Sequence, residues 1–360
     1  MSTLRAHRLG LVEYDDGLAM QERFGEARRA ELEPDALLLL QHPPVLTFGR
    51  AAKRENVVAT PEQLSALGVE LFDTNRGGDV TYHGPGQIVG YPVLLLPEAR
   101  QDVRRFVRDV EEGLIRALAR FGLRAARIPK WPGVWLGSPE TGDARKIAAI
   151  GVHLSRWLTT HGFALNVRTN LSHFELIVPC GIHEAGVTSM ERELGDRCPP
   201  IEVVEQALAE SFAEVFGQSL EWAPEPARTV SVAVVRDAPR RQVLLLKRRA
   251  ERGGFWQIVT GRVEAGESPA QAAAREVREE TGQALEVRPL GYEHAFALGS
   301  RVPPAVTRET AFAARWPGEA EVRLSASEHE AYRWADPEEA MGSLPFRGLR
   351  EATRRALAEG

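Results

Sequence analysis

The sequence predicts an α/β (α+β) protein of two domains, and three observations lead there. Its 360 residues exceed one ordinary core, since domains run roughly 100–200 residues. Apolar runs of strand length alternate with helical periods in both halves. Between the halves, GQSLEWAPEPAR (Gly217–Arg228) loses periodicity and gains prolines, which marks a boundary. The expected division is residues 1–217, a linker at 218–228, and residues 229–360.

Taken in order, ALLLLQHPPVLTF (Ala36–Phe48) reads as a buried strand, a Pro-Pro break and a second extended piece. Asp79–Pro97 holds a glycine turn, GPGQ, that leads into the apolar strand IVGYPVLLLP. Gln101–Phe121 is an amphipathic helix, with Val103, Phe106, Val107, Val110, Leu114, Leu118 and Phe121 at helical spacing. Lys146–Leu154 and Gly162–Val167 are strands around a turn near Arg156–His161, and Ile201–Phe216 is a second amphipathic helix. Beyond the boundary, Thr229–Arg236 and Gln242–Lys247 are strands. A helix then opens at Ser268-Pro269, a capping serine followed by an N1 proline. Strands near Leu285–Tyr292, Thr307–Trp316 and Tyr332–Trp334 precede short helices at Pro337–Met341 and Gly348–Ala358.

A net charge of −5 argues against stable nucleic-acid binding, which usually shows as a strongly basic face. Apolar runs such as Ala36–Leu40 and Val93–Leu96 are far shorter than the ~20 residues of a membrane span. The opening stretch MSTLRAHRLGLVEYDDG has no signal-peptide core. The cysteines, Cys180 and Cys198, are two, too few for a disulfide framework. Together these place the protein in a reducing cytoplasm.

Three segments of the first half carry chemistry. RGGDVTYHGPGQ (Arg76–Gln87) is a backbone able to come close to a ligand, although such a loop reads equally as a tight turn. KIAAIGV opens an apolar strand with Lys146. VPCGIHEAGVTSM (Val178–Met190) sets Cys180 between a proline and a glycine. Spacing alone does not join Cys180 to Lys146. With HPPVLTFGR (His42–Arg50) and RWLTTHGFALNV (Arg156–Val167), these segments resemble the lipoyl/octanoyl transferases over about residues 10–215. The resemblance implies a biotin/lipoate-ligase-like domain, a mixed sheet with helices packed against it. It implies transfer of an octanoyl group from octanoyl-acyl carrier protein to a lysine of lipoyl domains, those of 2-oxoacid dehydrogenase complexes and of the glycine cleavage H protein.

In that family Cys180 matches the nucleophile that carries the acyl group as a thioester, and Lys146 the base and acid that lowers its pKa. Arg76, Gly77, Gly78, Asp79, Val80, Thr81, Tyr82 and His83 match an acyl-substrate segment, as do Ala149, Ile150 and Gly151, and Gly162, Phe163 and Ala164. A nearby ammonium favours a thiolate, and a covalent intermediate divides acyl transfer into two steps. The backbone near Cys180 and Gly181, with His83, is the expected source of oxyanion donors. Ala148–Ile150 and Phe163 are the expected lining of an acyl tunnel, and this half needs no cofactor. An ATP-dependent lipoate or biotin ligase shares the fold but needs no nucleophilic cysteine.

The second half is dominated by GRVEAGESPAQAAAREVREETGQ (Gly261–Gln283). Glu276, Glu279 and Glu280 stand at i, i+3 and i+4, on one helix face, where like charges repel unless a hard cation intervenes. The stretch is similar to the Nudix box at Gly261, Glu267, Arg275, Glu276, Val277, Glu279, Glu280 and Gly282. That implies an α/β/α sandwich over about residues 228–360 and a nucleotide-type diphosphate substrate. Glu276, Glu279 and Glu280 would hold Mg²⁺ or Mn²⁺, with Glu279 also catalytic, and Glu267 and Arg275 would form a structural pair. Gln283 and Thr260 depart from the usual pattern, and FWQIVTGRVEAGES is similar to enzymes acting on dATP or dihydroneopterin triphosphate. The alternative is a non-catalytic nucleotide-binding module.

Overall fold

The computed structural model describes residues 2–178, 186–237, 240–298, 304–318 and 320–358. The chain divides into two compact units, one built mainly from Met1–Glu225 and one from Pro226–Phe296 with Val306–Gly360.

The first unit contains strands β1 (Thr3–Leu11), β2 (Asp35–Gln41), β3 (Val45–Phe48), β4 (Glu70–Asp73), β5 (Val80–His83) and β6 (Gln87–Val93). It continues with β7 (Ala126–Ile128), β8 (Trp131–Leu136), β9 (Arg145–Ser155), β10 (Leu158–Asn166), β11 (Gly186–Val187) and β12 (Ser219–Trp222). Its helices are α1 (Tyr14–Arg29), α2 (Pro61–Ala66), α3 (Val103–Ala119), α4 (Met190–Leu194) and α5 (Ile201–Phe216). The main sheet runs β12-β1-β2-β6-β10-β9-β8-β7, with β11 beside β9, and a small sheet runs β4-β3-β5. β1 is parallel to both neighbours while β2, β6, β10 and β9 alternate, so the expected mixed sheet is present.

Leu37 and Leu39 of β2 and Ile88 of β6 face α3 and α5 in one apolar cluster with Phe106, Leu114, Leu208 and Phe212. The alternate residues Leu38, Tyr91 and Val93 point the other way, as a strand requires, and α1 packs on β6 and β10. The predicted helix at 101–121 is α3, started by Asp102, whose side chain accepts from Arg105 N.

Two expectations change. The stretch expected to be a linker pairs its Ser219–Trp222 in parallel with Thr3–Ala6, and β13 already begins at Ala227. The ladder to β1 supplies partners that an isolated linker would lack. The turn expected near Arg156–His161 is only Arg156-Trp157, both at positive φ (49° and 62°), the conformation that matches a two-residue hairpin to the strand twist. β10 therefore starts at Leu158 rather than Gly162.

The second unit holds β13 (Ala227–Arg236), β14 (Gln242–Arg248), β15 (Trp256–Gln257), β16 (Val259–Arg262), β17 (Val287–Leu298), β18 (Ala305–Arg315) and β19 (His329–Ala335). Its helices are α6 (Pro269–Thr281), α7 (Pro337–Ser343) and α8 (Arg347–Ala358). The sheet runs β15-β14-β13-β18-β17, with β16 on β13 and β19 on β14. Ala272, Ala273 and Val277 of α6 cover Val230, Val232 and Val234. α8 also packs on β13, but its buried Leu349, Ala352 and Ala356 lie outside that cluster, as a sandwich with helices on both faces demands. Among the described residues, no helix is long and apolar enough to cross a membrane.

The β6–β10 contact is set by glycine. A methyl group at Gly162 would sit 2.1 Å from Gly90 O and 2.5 Å from Pro92 Cδ. Backbone cannot swing aside as a side chain can, so Gly162→Ala is expected to destabilise the chain by about 1–3 kcal/mol. A lowered urea midpoint would show this; an unchanged midpoint would contradict it.

Candidate active sites

In the first unit the fold brings the three expected substrate segments together. β9 and β10 pair Ala149 with Ala164, Ile150 with Phe163, and Gly151 with Gly162. The loop before β5 crosses this ladder, because Gly77 N donates to Val152 O at 2.9 Å. The crossing needs glycine, since a methyl group on Gly151 would lie 2.9 Å from Gly77 O. Arg76 is buried beneath it, donating to Thr47 O at 2.7 Å and Thr47 Oγ1 at 2.9 Å. Asp79 accepts from Asn56 Nδ2 at 2.6 Å and Val80 N at 2.7 Å, which fixes the end of the loop. Val80 and Tyr82 are buried with Phe174 in the apolar cluster under the small sheet, while Gly78 takes a left-handed φ of 92° and Thr81 pairs with Thr47.

Phe163 departs from its expected role. Its ring is buried at 5.0 Å from the Phe212 ring, in the cluster shared with α3 and α5. Strand alternation puts it on the face opposite Ala164, so it is a core residue there.

A buried hydrogen-bond chain links the loop to the Lys146 strand. His83 Nδ1 meets Gln87 Oε1 at 2.7 Å. Gln87 Nε2 donates to Tyr82 O at 3.2 Å and to Asn166 Oδ1 at 3.0 Å. Asn166 Nδ2 donates to Thr188 O at 3.0 Å, and Thr188 N donates to Lys146 O at 2.9 Å. Thr188 Oγ1 also donates to Glu193, which grips Arg145 at 2.6 and 2.8 Å. Because the Gln87 amide nitrogen donates twice, its oxygen must accept, and His83 carries its proton on Nδ1. Burial, with the charges of neighbouring groups, lowers the His83 pKa to about 3, so the ring is neutral. Its Nε2 therefore bears a lone pair and is no oxyanion donor, which corrects the expectation for His83.

Lys146 lies on β9 with Nζ 4.7 Å from the centre of the Trp135 ring, a cation–π contact. Its stem runs along Gly133, where a side chain would meet Ala148 O at 2.6 Å. Cys180 and Gly181 lie outside the described residues. The chain leaves at Val178, whose N–H donates to Asn56 O at 2.8 Å, and returns at β11, where Gly186 pairs with Arg145 and Val187 with Lys146. Gly186, Val187, Ala144, Arg145 and Phe174 line a cleft of about 680 Å³ at this edge. The bridging residues Gln87, Asn166 and Thr188 were missed in the sequence, where no spacing connects them.

Beside this site sits a second buried group. His42 Nδ1–H donates to Val12 O and its Nε2 accepts from the Tyr91 hydroxyl, both at 2.7 Å. His161, at φ 55°, places Nε2 2.6 Å from Asn75 Oδ1. Cys198 is a buried thiol whose pKa burial pushes up.

In the second unit Ser268 and Gln271 form a reciprocal capping box at the start of α6, and Gly282 closes it at φ 75°. Glu267 and Arg275 pair through two contacts, at 2.9 and 3.1 Å, and Arg275 also donates to Arg262 O. That is the structural pair expected. Arg275 further reaches Glu276 Oε1 at 2.7 Å and Glu279 Oε2 at 3.3 Å, so it holds two of the three helix carboxylates. Gly261 is required because a methyl group there would fall 1.8 Å from Glu276 Cδ. Glu280 is 2% exposed, and burial raises its pKa to about 7 against an opposing pull from His329. His329 Nε2 lies 3.2 Å from Glu280 Oε1 but is not aligned as a hydrogen bond, and neither Glu280 oxygen has a hydrogen-bond partner. An orphaned buried carboxylate facing other acidic groups fits a divalent cation. Among the described residues, Glu280, Glu328 and His329 bring one ligand atom each within 4.8 Å. Glu328 and His329 lie about 50 residues beyond the box, outside any motif that spacing reveals.

A family model described as the lipoyl protein ligase A/B catalytic domain matches residues 13–213, and one described as the NUDIX domain matches residues 226–358. The octanoyltransferase of Myxococcus xanthus is 62% identical over 359 residues, 99% of this chain and 100% of its own. That of Solibacter usitatus is 50% identical over 209 residues, 58% of this chain and 91% of its own. The structure of the E. coli dihydroneopterin triphosphate pyrophosphohydrolase is 27% identical, with a TM-score of 0.34, covering 38% of this chain and 100% of its own.

Burial lowers the pKa of His42 and His161 to about 4, as it lowers that of His83. An unfolded chain takes up these protons as pH falls through about 6.5, and the folded unit refuses them until pH 3–4. Stability is therefore complete above pH 6.5 and falls below it, by up to roughly 1.4 kcal/mol per pH unit for each histidine. Urea unfolding read by pulse hydrogen exchange in β2 and β6 should give a lower midpoint at pH 5 than at pH 7.5. An unchanged or higher midpoint would contradict the neutral assignment.

Proposed function

We propose a two-part activity for this chain, which belongs to the octanoyltransferase family built on the lipoyl protein ligase A/B catalytic domain and carries a NUDIX domain. The first part transfers octanoyl from octanoyl-acyl carrier protein to lysines of lipoyl domains, in 2-oxoacid dehydrogenase complexes and the glycine cleavage H protein, in the cytoplasm. The observation that carries it is the return of the Cys180 loop beside Lys146, where Val187 pairs with it.

In this reading Lys146 takes the thiol proton of Cys180. The thiolate attacks the carrier thioester carbon, the carrier C–S bond breaks, and Lys146 returns the proton to the leaving thiol. The acceptor lysine, as a neutral amine, then attacks the Cys180 thioester. Its C–S bond breaks, an amide forms, and Lys146 moves the amine proton to the Cys180 sulfur. Arg76–His83, Ala149–Gly151 and Gly162–Ala164 bind the acyl donor around the crossing at Gly77, largely through backbone, since the Arg76 and Phe163 side chains are occupied elsewhere.

The second part is hydrolysis of a nucleotide-type diphosphate. Glu276, Glu279 and Glu280 would hold Mg²⁺ or Mn²⁺, which when bound would neutralise diphosphate charge and activate water. Glu279 is the most exposed of the three, its side chain 52% accessible, and in this reading it would receive the water's proton. The support is Glu280, buried and without hydrogen-bond partners.

Two measurements test these parts. Mass spectrometry of a lipoyl domain should show octanoylation by the intact chain, abolished in Cys180→Ser and reduced about 10²–10⁴-fold in Lys146→Ala. Unchanged transfer by both variants would overturn the dyad. Phosphate or pyrophosphate release from a nucleotide panel with Mg²⁺ or Mn²⁺ should disappear in Glu280→Gln. A wild-type chain that cleaves none of the panel would point to a binding module instead.

A further inference from the structure

We propose that His329 is a nitrogen ligand in the C-terminal site, so that Glu280, Glu328 and His329 form a mixed oxygen–nitrogen set selecting a transition cation such as Mn²⁺ over Mg²⁺. This rests on the metal-dependent reading above and adds two ligands, Glu328 and His329, and a metal preference that the three helix carboxylates do not supply.

The geometry comes first. One atom from each of Glu280, Glu328 and His329 lies within 4.8 Å of the others. The three residues come from different elements: Glu280 from the last turn of α6, His329 from the first residue of β19, and Glu328 from the turn before it. Glu280 and His329 are each 2% exposed. Both carboxylate oxygens of Glu280 and both ring nitrogens of His329 lack hydrogen-bond partners.

Each such atom is costly when left unmet in the interior, and four of them converge here. A structural ion pair would leave the ring differently arranged, with one N–H aimed at the carboxylate and the other nitrogen satisfied. His42 shows that arrangement in the same chain, with both nitrogens bonded. An ion held by the two carboxylates and one ring nitrogen of His329 would satisfy the Glu280 carboxylate and that nitrogen, which the protein leaves open. Glu328 is partly exposed, and its Oε1 is 3.2 Å from Arg252 Nη1. That contact lies at the surface, where an ion pair is worth little, so it does not compete strongly with a cation.

The donor set then decides the metal. Mg²⁺ demands near-ideal oxygen octahedra and gives up water reluctantly. An imidazole nitrogen favours first-row transition ions, whose affinity for N/O sites rises along the series from Mn²⁺.

The test uses the full chain and Mn²⁺ as the probe. Pulsed electron paramagnetic resonance of the wild type with substoichiometric Mn²⁺ should show coupling to one ¹⁴N nucleus, replaced by the ¹⁵N pattern after ¹⁵N-histidine labelling. In His329→Gln the coupling should vanish, and Mn²⁺ affinity should drop at least about tenfold, with Mg²⁺ affinity changing less. Glu328→Gln should weaken Mn²⁺ but keep the nitrogen coupling. His294→Gln should leave both unchanged, although His294 is also buried with unpartnered nitrogens. Bound Mn²⁺ with no nitrogen coupling in the wild type would overturn the proposal while sparing the metal-dependent reading. A wild type that binds neither Mn²⁺ nor Mg²⁺ would overturn both. The wild-type spectrum decides the matter even if the His329 variant fails to fold.

Discussion

The first unit depends on one buried chain of hydrogen bonds, His83–Gln87–Asn166–Thr188, ending on the Lys146 carbonyl. Gln87, Asn166 and Thr188 are all nearly inaccessible, so each polar atom must be met from within. Meeting them fixes three things together: the glycine-rich loop after β5, the end of β10, and the return of the loop that carries Cys180. The same chain fixes the proton on His83, and with it the neutral character of that ring. Loss of one link would strand its neighbours, which is why such chains behave as a unit.

The second unit is organised by a conflict of charge. α6 places three carboxylates on one face, and Arg275 relieves part of the repulsion by holding Glu267, Glu276 and Glu279. Glu280 is left outside that grip and is buried. Gly261 completes the device, because the space of its missing side chain is filled by Glu276. The division of labour is physical. Arg275 anchors the loop and orients two carboxylates, while the unmet charge is concentrated where a cation would act.

Much of this was legible in residue order, and the exceptions have physical causes. The α6 boundaries follow from Ser268, Pro269 and Gly282, whose capping roles are local. The helices α3 and α5 follow from apolar period alone. A turn near Arg156–His161 was legible, but not that it is the two-residue hairpin Arg156-Trp157, because neither residue type announces positive φ. Nor was β12, whose partner lies more than 200 positions earlier in β1. The polar chain through Gln87 and Asn166 was hidden for the same reason: its members meet only after β6 and β10 pair. Phe163 was misplaced because a motif position does not say which face of a strand it occupies. His329 and Glu328 reach α6 only through the β14–β19 ladder, which no motif spacing encodes.

The central proposal is that Cys180, with Lys146, carries out covalent acyl transfer. The most direct measurement is intact-mass and peptide mapping of the full chain incubated with octanoyl-acyl carrier protein and no acceptor. The account predicts a gain of one octanoyl group, located on Cys180, that is discharged when a lipoyl domain is added. A chain that stays unmodified while still octanoylating the domain, or that carries the group on Cys198, would contradict it.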